Sequence, residues 1–153
     1  CAGRLEKYPV TPEDLNTYYD RGKDNEDIWG MTAFDVSVII GHLTMRCTDS
    51  SREMVRLGFI IIDDRLRGKG YGREMFSMAV GYAFEFLRVR KVSLGIFENN
   101  EAAKNCCRAC GSIQAETKNA EIYRCLGETW KCLEMELYNK YPPAGACSRD
   151  LSV

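Results

Sequence analysis

The sequence predicts a single α/β domain, and three observations carry that expectation. An almost continuous apolar run, Leu57 to Ile62, leads into a charged, glycine-rich loop and then into a helix-period stretch. The same strand-then-helix order returns at Val92 to Ile96 and Ala103 to Cys110. At 153 residues and 45% hydrophobic content, the chain is long enough for one core and too apolar for a disordered segment.

Thr11 is placed to cap a helix, with Pro12 in the first turn and Glu13 and Asp14 near its positive end, so a short helix is expected to about Asp20. From Met31 to Arg46, Val36, Val38, Ile39, Ile40, Leu43 and Met45 alternate or run together, interrupted by Gly41, which reads as strands. The polar turn Thr48-Asp49-Ser50-Ser51 precedes Met54 to Ile62, a central strand in which Gly58 marks a bulge or a close backbone approach. Beyond the loop Asp63 to Gly72, residues Met75, Phe76, Ala79, Tyr82, Ala83, Phe86 and Leu87 recur at helical spacing. Val92, Leu94 and Ile96 alternate as a further strand. Glu98-Asn99-Asn100 then introduces a helix striped by Ala103, Cys106, Cys107 and Cys110 and stopped by Gly111. Trp130, Cys132, Leu133, Met135 and Leu137 suggest a last strand, and Pro142 to Val153 a loose tail.

A formal net charge of -1 gives no basic field for nonspecific nucleic-acid binding, so no nucleic-acid partner is expected. No apolar run approaches the roughly 20 residues needed to span a bilayer, and no signal peptide is visible, so a soluble, cytoplasmic protein without a membrane partner is expected. The chain opens on Cys1 with no pattern of its own, as a fragment would. Of eight cysteines, Cys106, Cys107 and Cys110 cluster within about a helical turn, with Cys125 and Cys132 further on. A zinc site from Cys107, Cys110 and a later pair is one reading. Reduced thiols acting as small buried hydrophobes, with no metal, is the reading preferred, because paired CxxC motifs are missing and the only histidine, His42, is remote in sequence.

The chemistry concentrates between Arg67 and Arg73. A helix start exposes unpaired amides with partial positive charge, and Gly68, Gly70 and Gly72 let a phosphate approach them. Arg67, Lys69 and Arg73 add cationic donors for a ligand carrying several phosphate charges. The spacing matches neither the P-loop nor the dinucleotide fingerprint; the bland alternative is a flexible strand-to-helix turn with solvated arginines.

The run RLGFIIIDDRLRGKGYG, followed by a long amphipathic helix, resembles the acetyl-CoA-binding core of the GNAT N-acetyltransferase superfamily. Arg67, Gly70 and Gly72 meet that signature. KVSLGIFENNEAAKNCCRACG resembles its second strand-helix unit, and GHLTMR and GETWKCLEMEL its flanking strands in the branch of ribosomal-protein N-terminal acetyltransferases. The resemblance implies a mixed, strongly bent central sheet with splayed parallel strands, Met54 to Ile62 and Lys91 to Phe97, flanked by helices in the acyl-CoA N-acyltransferase arrangement. It implies one domain over 1–153 lacking the family's first strand and helix.

By the same resemblance, acetyl-CoA would meet Phe59, Ile60, Ile61 and Ile62 on the first splayed strand. It would meet Arg67, Gly68, Lys69, Gly70, Tyr71, Gly72 and Arg73 in the loop, and Asn100 and Ala103 at the second helix. The implied reaction is direct transfer of the acetyl group to a primary amine, on a small molecule or a protein N-terminus, with an amide near Ile60 or Ile61 polarising the thioester oxygen. A cysteine nucleophile would instead give ping-pong kinetics. Cys107 stands where the family's proton-donating tyrosine is usual; a helix N-terminus would lower its pKa, while packing in the helix stripe is the plain alternative. Glu98, at the end of the second splayed strand, is the candidate base, with a solvated turn residue as its alternative, and His42 reads as structural. Cys107, with Ser112 where an aromatic is usual, motivates a second function, a catalytically impaired coenzyme-binding regulatory module. A homodimer is compatible with either.

Overall fold

The computed structural model describes residues 10–20, 22–116, 121–125 and 127–141. The expected tail, 142–153, lies outside these described residues. Thr11 and Asp14 cap one another, the Asp14 amide donating to Thr11 Oγ1 at 3.3 Å and the Thr11 amide to Asp14 Oδ2 at 2.9 Å. That exchange starts helix α1, Pro12–Asp20, as the sequence predicts. Strands β1, Ile28–Asp35, and β2, Val38–Cys47, follow as an antiparallel hairpin whose turn puts Val36 at a φ of 54°. The strand region therefore begins earlier than Met31 and is broken at Val36, where the apolar pattern alone shows no interruption.

β2 pairs antiparallel with β3, Met54–Ile62, and β3 pairs parallel with β4, Lys91–Phe97. Helix α2, Tyr71–Glu85, crosses from β3 to β4, and α3, Glu101–Ala109, follows β4. Gly111 closes α3 as expected: at a φ of 91° it donates to Arg108 O at 2.9 Å, while the Ser112 amide reaches back to Cys107 O at 3.1 Å. Two short strands the sequence reading passed over, β5 Ile113–Gln114 and β6 Glu121–Cys125, both pair with the long last strand β7, Glu128–Tyr138.

Among the described residues the strands form one mixed sheet in the order β1-β2-β3-β4-β7-β5, with β6 also on β7. One face buries Leu43, Met45, Val55, Leu57, Val92 and Leu94 against Met75, Phe76, Ala79 and Ala83 of α2 and Cys107 of α3. Tyr82 and Phe86 share the helical spacing but not the core, being exposed and stacked on each other at 5.4 Å. The opposite face meets α1, whose Tyr19 ring lies 5.4 Å from His42. This mixed sheet with flanking helices is the architecture expected.

Candidate active site

β3 and β4 part company midway. Their parallel pairing runs from Met54–Lys91 to Leu57–Leu94 and stops there, although β3 continues to Ile62 and β4 to Phe97. On the far side of β3, between the pairs Thr44–Gly58 and His42–Ile61, β3 uses one residue more than β2. Phe59 absorbs the extra residue at a φ of 46°, a left-handed conformation costly for a side chain of its size. Gly58 stands beside this bulge as the sequence suggested; a Cβ there would meet Thr44 Oγ1 at 3.1 Å. The result is a fork in the sheet, with backbone amides of the bulge released from the ladder.

The strand-to-helix turn closes one end of the fork. Asp63 accepts from the Arg65 amide at 3.0 Å and from Arg65 Nη2 at 2.6 Å, and this hydrogen bonding holds its carboxyl well below the usual range. A 3-10 turn over Asp64–Leu66 follows. Gly68 and Gly70 then take φ of 75° and 93°, and a Cβ at either would meet nothing within 4 Å. No side chain caps α2. Its leading amides and Arg67 and Arg73 therefore border open space, which is the condition a phosphate needs.

At the start of α3, Asn100 Oδ1 accepts from the Ala103 amide at 3.1 Å, a helix cap. Cys106 and Cys107 face the fork from this helix. Cys107 lies in the second half of α3 among core residues, and burial pushes its thiol up to about 12. This reverses the lowering expected from a helix N-terminus, because the residue is too far along the helix and too dry. At pH 8 only about one thiol in ten thousand would be thiolate at a pKa of about 12, so Cys107 is expected to be the last of the α3 cysteines alkylated by iodoacetamide in the native protein. Peptide mass spectrometry of a labelling time course checks this; labelling of Cys107 ahead of Cys106 and Cys110 would contradict it.

The other end of the fork is polar and was not foreseen. Arg56 of β3 reaches over β4, pairing with Glu134 of β7 and donating to Ser93 Oγ at 3.4 Å. Gly95 makes room for it: a Cβ there would stand 3.0 Å from Arg56 Nη2 and 2.8 Å from Cys132 Sγ. Burial disfavours the Arg56 charge, but the Glu134 carboxylate outweighs it and raises the pKa. Arg46 of β2 lies directly across from Arg56. Glu121 and Tyr123 of β6 border the same end, the Tyr123 hydroxyl donating to Glu121 Oε2 at 2.5 Å. Tyr18 of α1 adds a ring 4.8 Å from Phe59. The legible signal was an arginine placed between buried Val55 and Leu57 in an interior strand.

Together these walls enclose a cleft of about 740 Å³. Phe59, Ile60, Ile61 and Ile62 line it, as do Arg67, Gly68, Gly70, Gly72 and Arg73, together with Asn100, Ala103 and Cys107. Three predicted residues fall outside its lining. Tyr71 instead donates its hydroxyl to Asp35 Oδ2 at 2.6 Å, and Lys69 sits on the loop between the two positive-φ glycines. Glu98 is exposed in the turn after β4, its amide donating to Lys131 O at 2.9 Å and its carbonyl accepting from Lys104 Nζ at 2.5 Å. His42 is engaged elsewhere, 2.7 Å from the Tyr19 hydroxyl, and burial lowers its pKa. Among the described residues no group of His, Cys, Asp and Glu side chains could hold a metal ion, and no helix is long and apolar enough to cross a membrane.

A family model described as the acetyltransferase (GNAT) domain matches residues 3–113. The spermidine N-acetyltransferase of Vibrio cholerae in complex with CoA and spermine has a similar structure, with a TM-score of 0.77 at 19% identity over 90% of this chain and 81% of that one. The spermidine/spermine N-acetyltransferase of Vibrio cholerae in complex with manganese ions gives a TM-score of 0.72 at 20% identity over 88% and 78%. At these identities the likeness is one of fold.

Proposed function

The chain belongs to the GNAT acetyltransferase family, an acetyl-CoA-dependent N-acetyltransferase family, and from that premise we propose that the fork between β3 and β4 moves an acetyl group directly to the primary amine of a small molecule. The observation that carries this reading is the conjunction of the two diverging strands with an uncapped helix start at one end of the same cleft. Acetyl-CoA supplies the activated thioester, and the residues present fit it: open glycines and two arginines at the diphosphate end, and a passage between strands for the pantetheine arm.

Arg67, Arg73 and the amides of Gly68 to Gly72 hold the diphosphate. Ile60 to Ile62 and Ala103 line the passage, and Asn100 keeps α3 capped beside it. An amide freed by the bulge at Phe59 to Ile61 polarises the thioester oxygen. Glu121, rather than Glu98, is the carboxylate placed to take the proton of the amine, because it borders the cleft and Glu98 does not. Cys107 packs the wall; a thiol held near 12 is a poor donor to a departing thiolate, so solvent supplies that proton. The two solved structures described above are spermidine N-acetyltransferases, which favours a small-molecule acceptor over the protein N-terminus of a ribosomal-protein acetyltransferase.

Thiol release from acetyl-CoA with a panel of primary amines tests the reading. Release above the amine-free rate is expected, and Arg67→Ala should raise the acetyl-CoA Kd about 10- to 100-fold through loss of a charge-assisted contact. Tight coenzyme binding with no amine-dependent release would leave the impaired coenzyme-binding module as the answer.

A further inference from the structure

Each arm of the fork carries an aromatic ring, and each ring is braced by rings from other elements. On β3, Phe59 meets the Tyr18 ring of α1 edge to face at 4.8 Å. On β4, Phe97 meets Tyr123 of β6 at 5.6 Å and Trp130 of β7 at 5.2 Å, both edge to face. Phe59, Tyr18, Phe97 and Tyr123 all border the cleft. The bulge accounts for the first wall. Leu57 packs in the core, and regular alternation would send Phe59 there too; the extra residue instead brings its ring to α1. A left-handed phenylalanine is costly, and strain of that kind is kept where it places a functional group.

Between the walls the sheet presents glycines. Gly58 adds no side chain on the β3 side, and Gly95, two residues before Phe97 and on its face, is exposed although β4 is an interior strand and Arg56 lies beside it. Glu121 stands next to the second wall, since both it and Phe97 are register partners of Cys132. Among the described residues bordering the cleft, Glu121 is the only carboxylate, and it serves the reacting amine. A second ammonium held between the rings would lose water without a counter-charge, whereas a flat apolar group would bury area against walls already fixed in place. We propose that the acceptor is an arylalkylamine, a monoamine whose ring lies against the Phe59 and Phe97 walls while its amine stands between the fork and Glu121. The inference rests on the acetyl-transfer reading and names its substrate class.

Initial rates of thiol release from acetyl-CoA with phenethylamine, pentylamine, putrescine and spermidine test it. Pentylamine and putrescine share a chain length and differ only in a methyl or an ammonium at the far end. The expected order in kcat/KM is phenethylamine, pentylamine, putrescine, with phenethylamine ahead of both putrescine and spermidine by at least about tenfold. Phe97→Ala should bring phenethylamine and putrescine to within about threefold of each other, chiefly through loss of the former. The acetyl-CoA Kd of the variant, by calorimetry, reports that it has folded, and the wild-type order decides on its own if it has not. Putrescine or spermidine within tenfold of phenethylamine, pentylamine outrunning phenethylamine, or a wild-type preference untouched by Phe97→Ala overturns the inference while acetyl transfer stands. No acetyl-CoA binding, or no release with any amine, overturns both.

Discussion

Replacing Gly70 by valine is expected to raise the acetyl-CoA Kd by at least about a hundredfold, about 2.7 kcal/mol, while the far-ultraviolet circular dichroism stays native. Gly70 occupies the left-handed region, with φ 93° and ψ -16°, as the N-cap of α2. A β-branched residue there is a steric outlier, costing on the order of 1–2 kcal/mol before any ligand is considered. The space beside it is open to at least 4 Å, so the protein has room for the side chain. That room is the place where a phosphate must stand to reach the helix amides. Either the valine occupies it or the backbone relaxes and turns the amides away; both remove the site. Affinity within about threefold of wild type would show that the turn does not bind the diphosphate.

Gly41→Ala should produce the largest loss of stability, about 2 kcal/mol, within the range for forcing an extra group into a packed core. Its Cβ would lie 2.5 Å from the Ile61 carbonyl oxygen, 2.8 Å from Ile62 Cδ1 and 3.1 Å from Met75 Sδ. The nearest of these is backbone, which cannot swing aside as a flexible side chain can. For a chain of this size the midpoint of thermal unfolding should fall by about 4–8 °C, measurable by scanning calorimetry. The strand that must yield is the bulged one, so kcat should also fall, on the order of a hundredfold if the amide is displaced by about an ångström. A variant with wild-type midpoint and kcat would mean that β2 and β3 are more loosely paired than their register implies.

The parts of the site that sequence made legible are local. Arg67 to Gly72 follow one another through the loop and into the first turn of α2, so their pattern could be read from spacing, and Gly58 announced the bulge because a side-chain-free residue inside an apolar strand needs a reason. The polar end of the cleft is assembled from distant segments. Arg56 and Glu134 are 78 positions apart and meet only because β7 takes the place beside β4. β6 contributes Glu121 and Tyr123 from a strand of five residues, too short to show a period, and β5 has two. Cys107 shows the limit differently: helical spacing placed it on the correct stripe, but burial by residues from other elements decided its thiol chemistry. Glu98 lies outside the cleft lining for a similar reason, since proximity to a strand end does not fix whether a side chain borders the cleft or faces solvent.

The proposed hold of main-chain amides on the coenzyme diphosphate is tested most directly by following the backbone amide resonances of the isotopically labelled protein during titration with acetyl-CoA. Saturable shifts that are largest from Gly68 to Arg73, and much reduced when the titrant is acetyl-pantetheine lacking the diphosphate, are the predicted result. Resonances from Gly68 to Arg73 that stay in place while acetyl-CoA saturates the protein would contradict it.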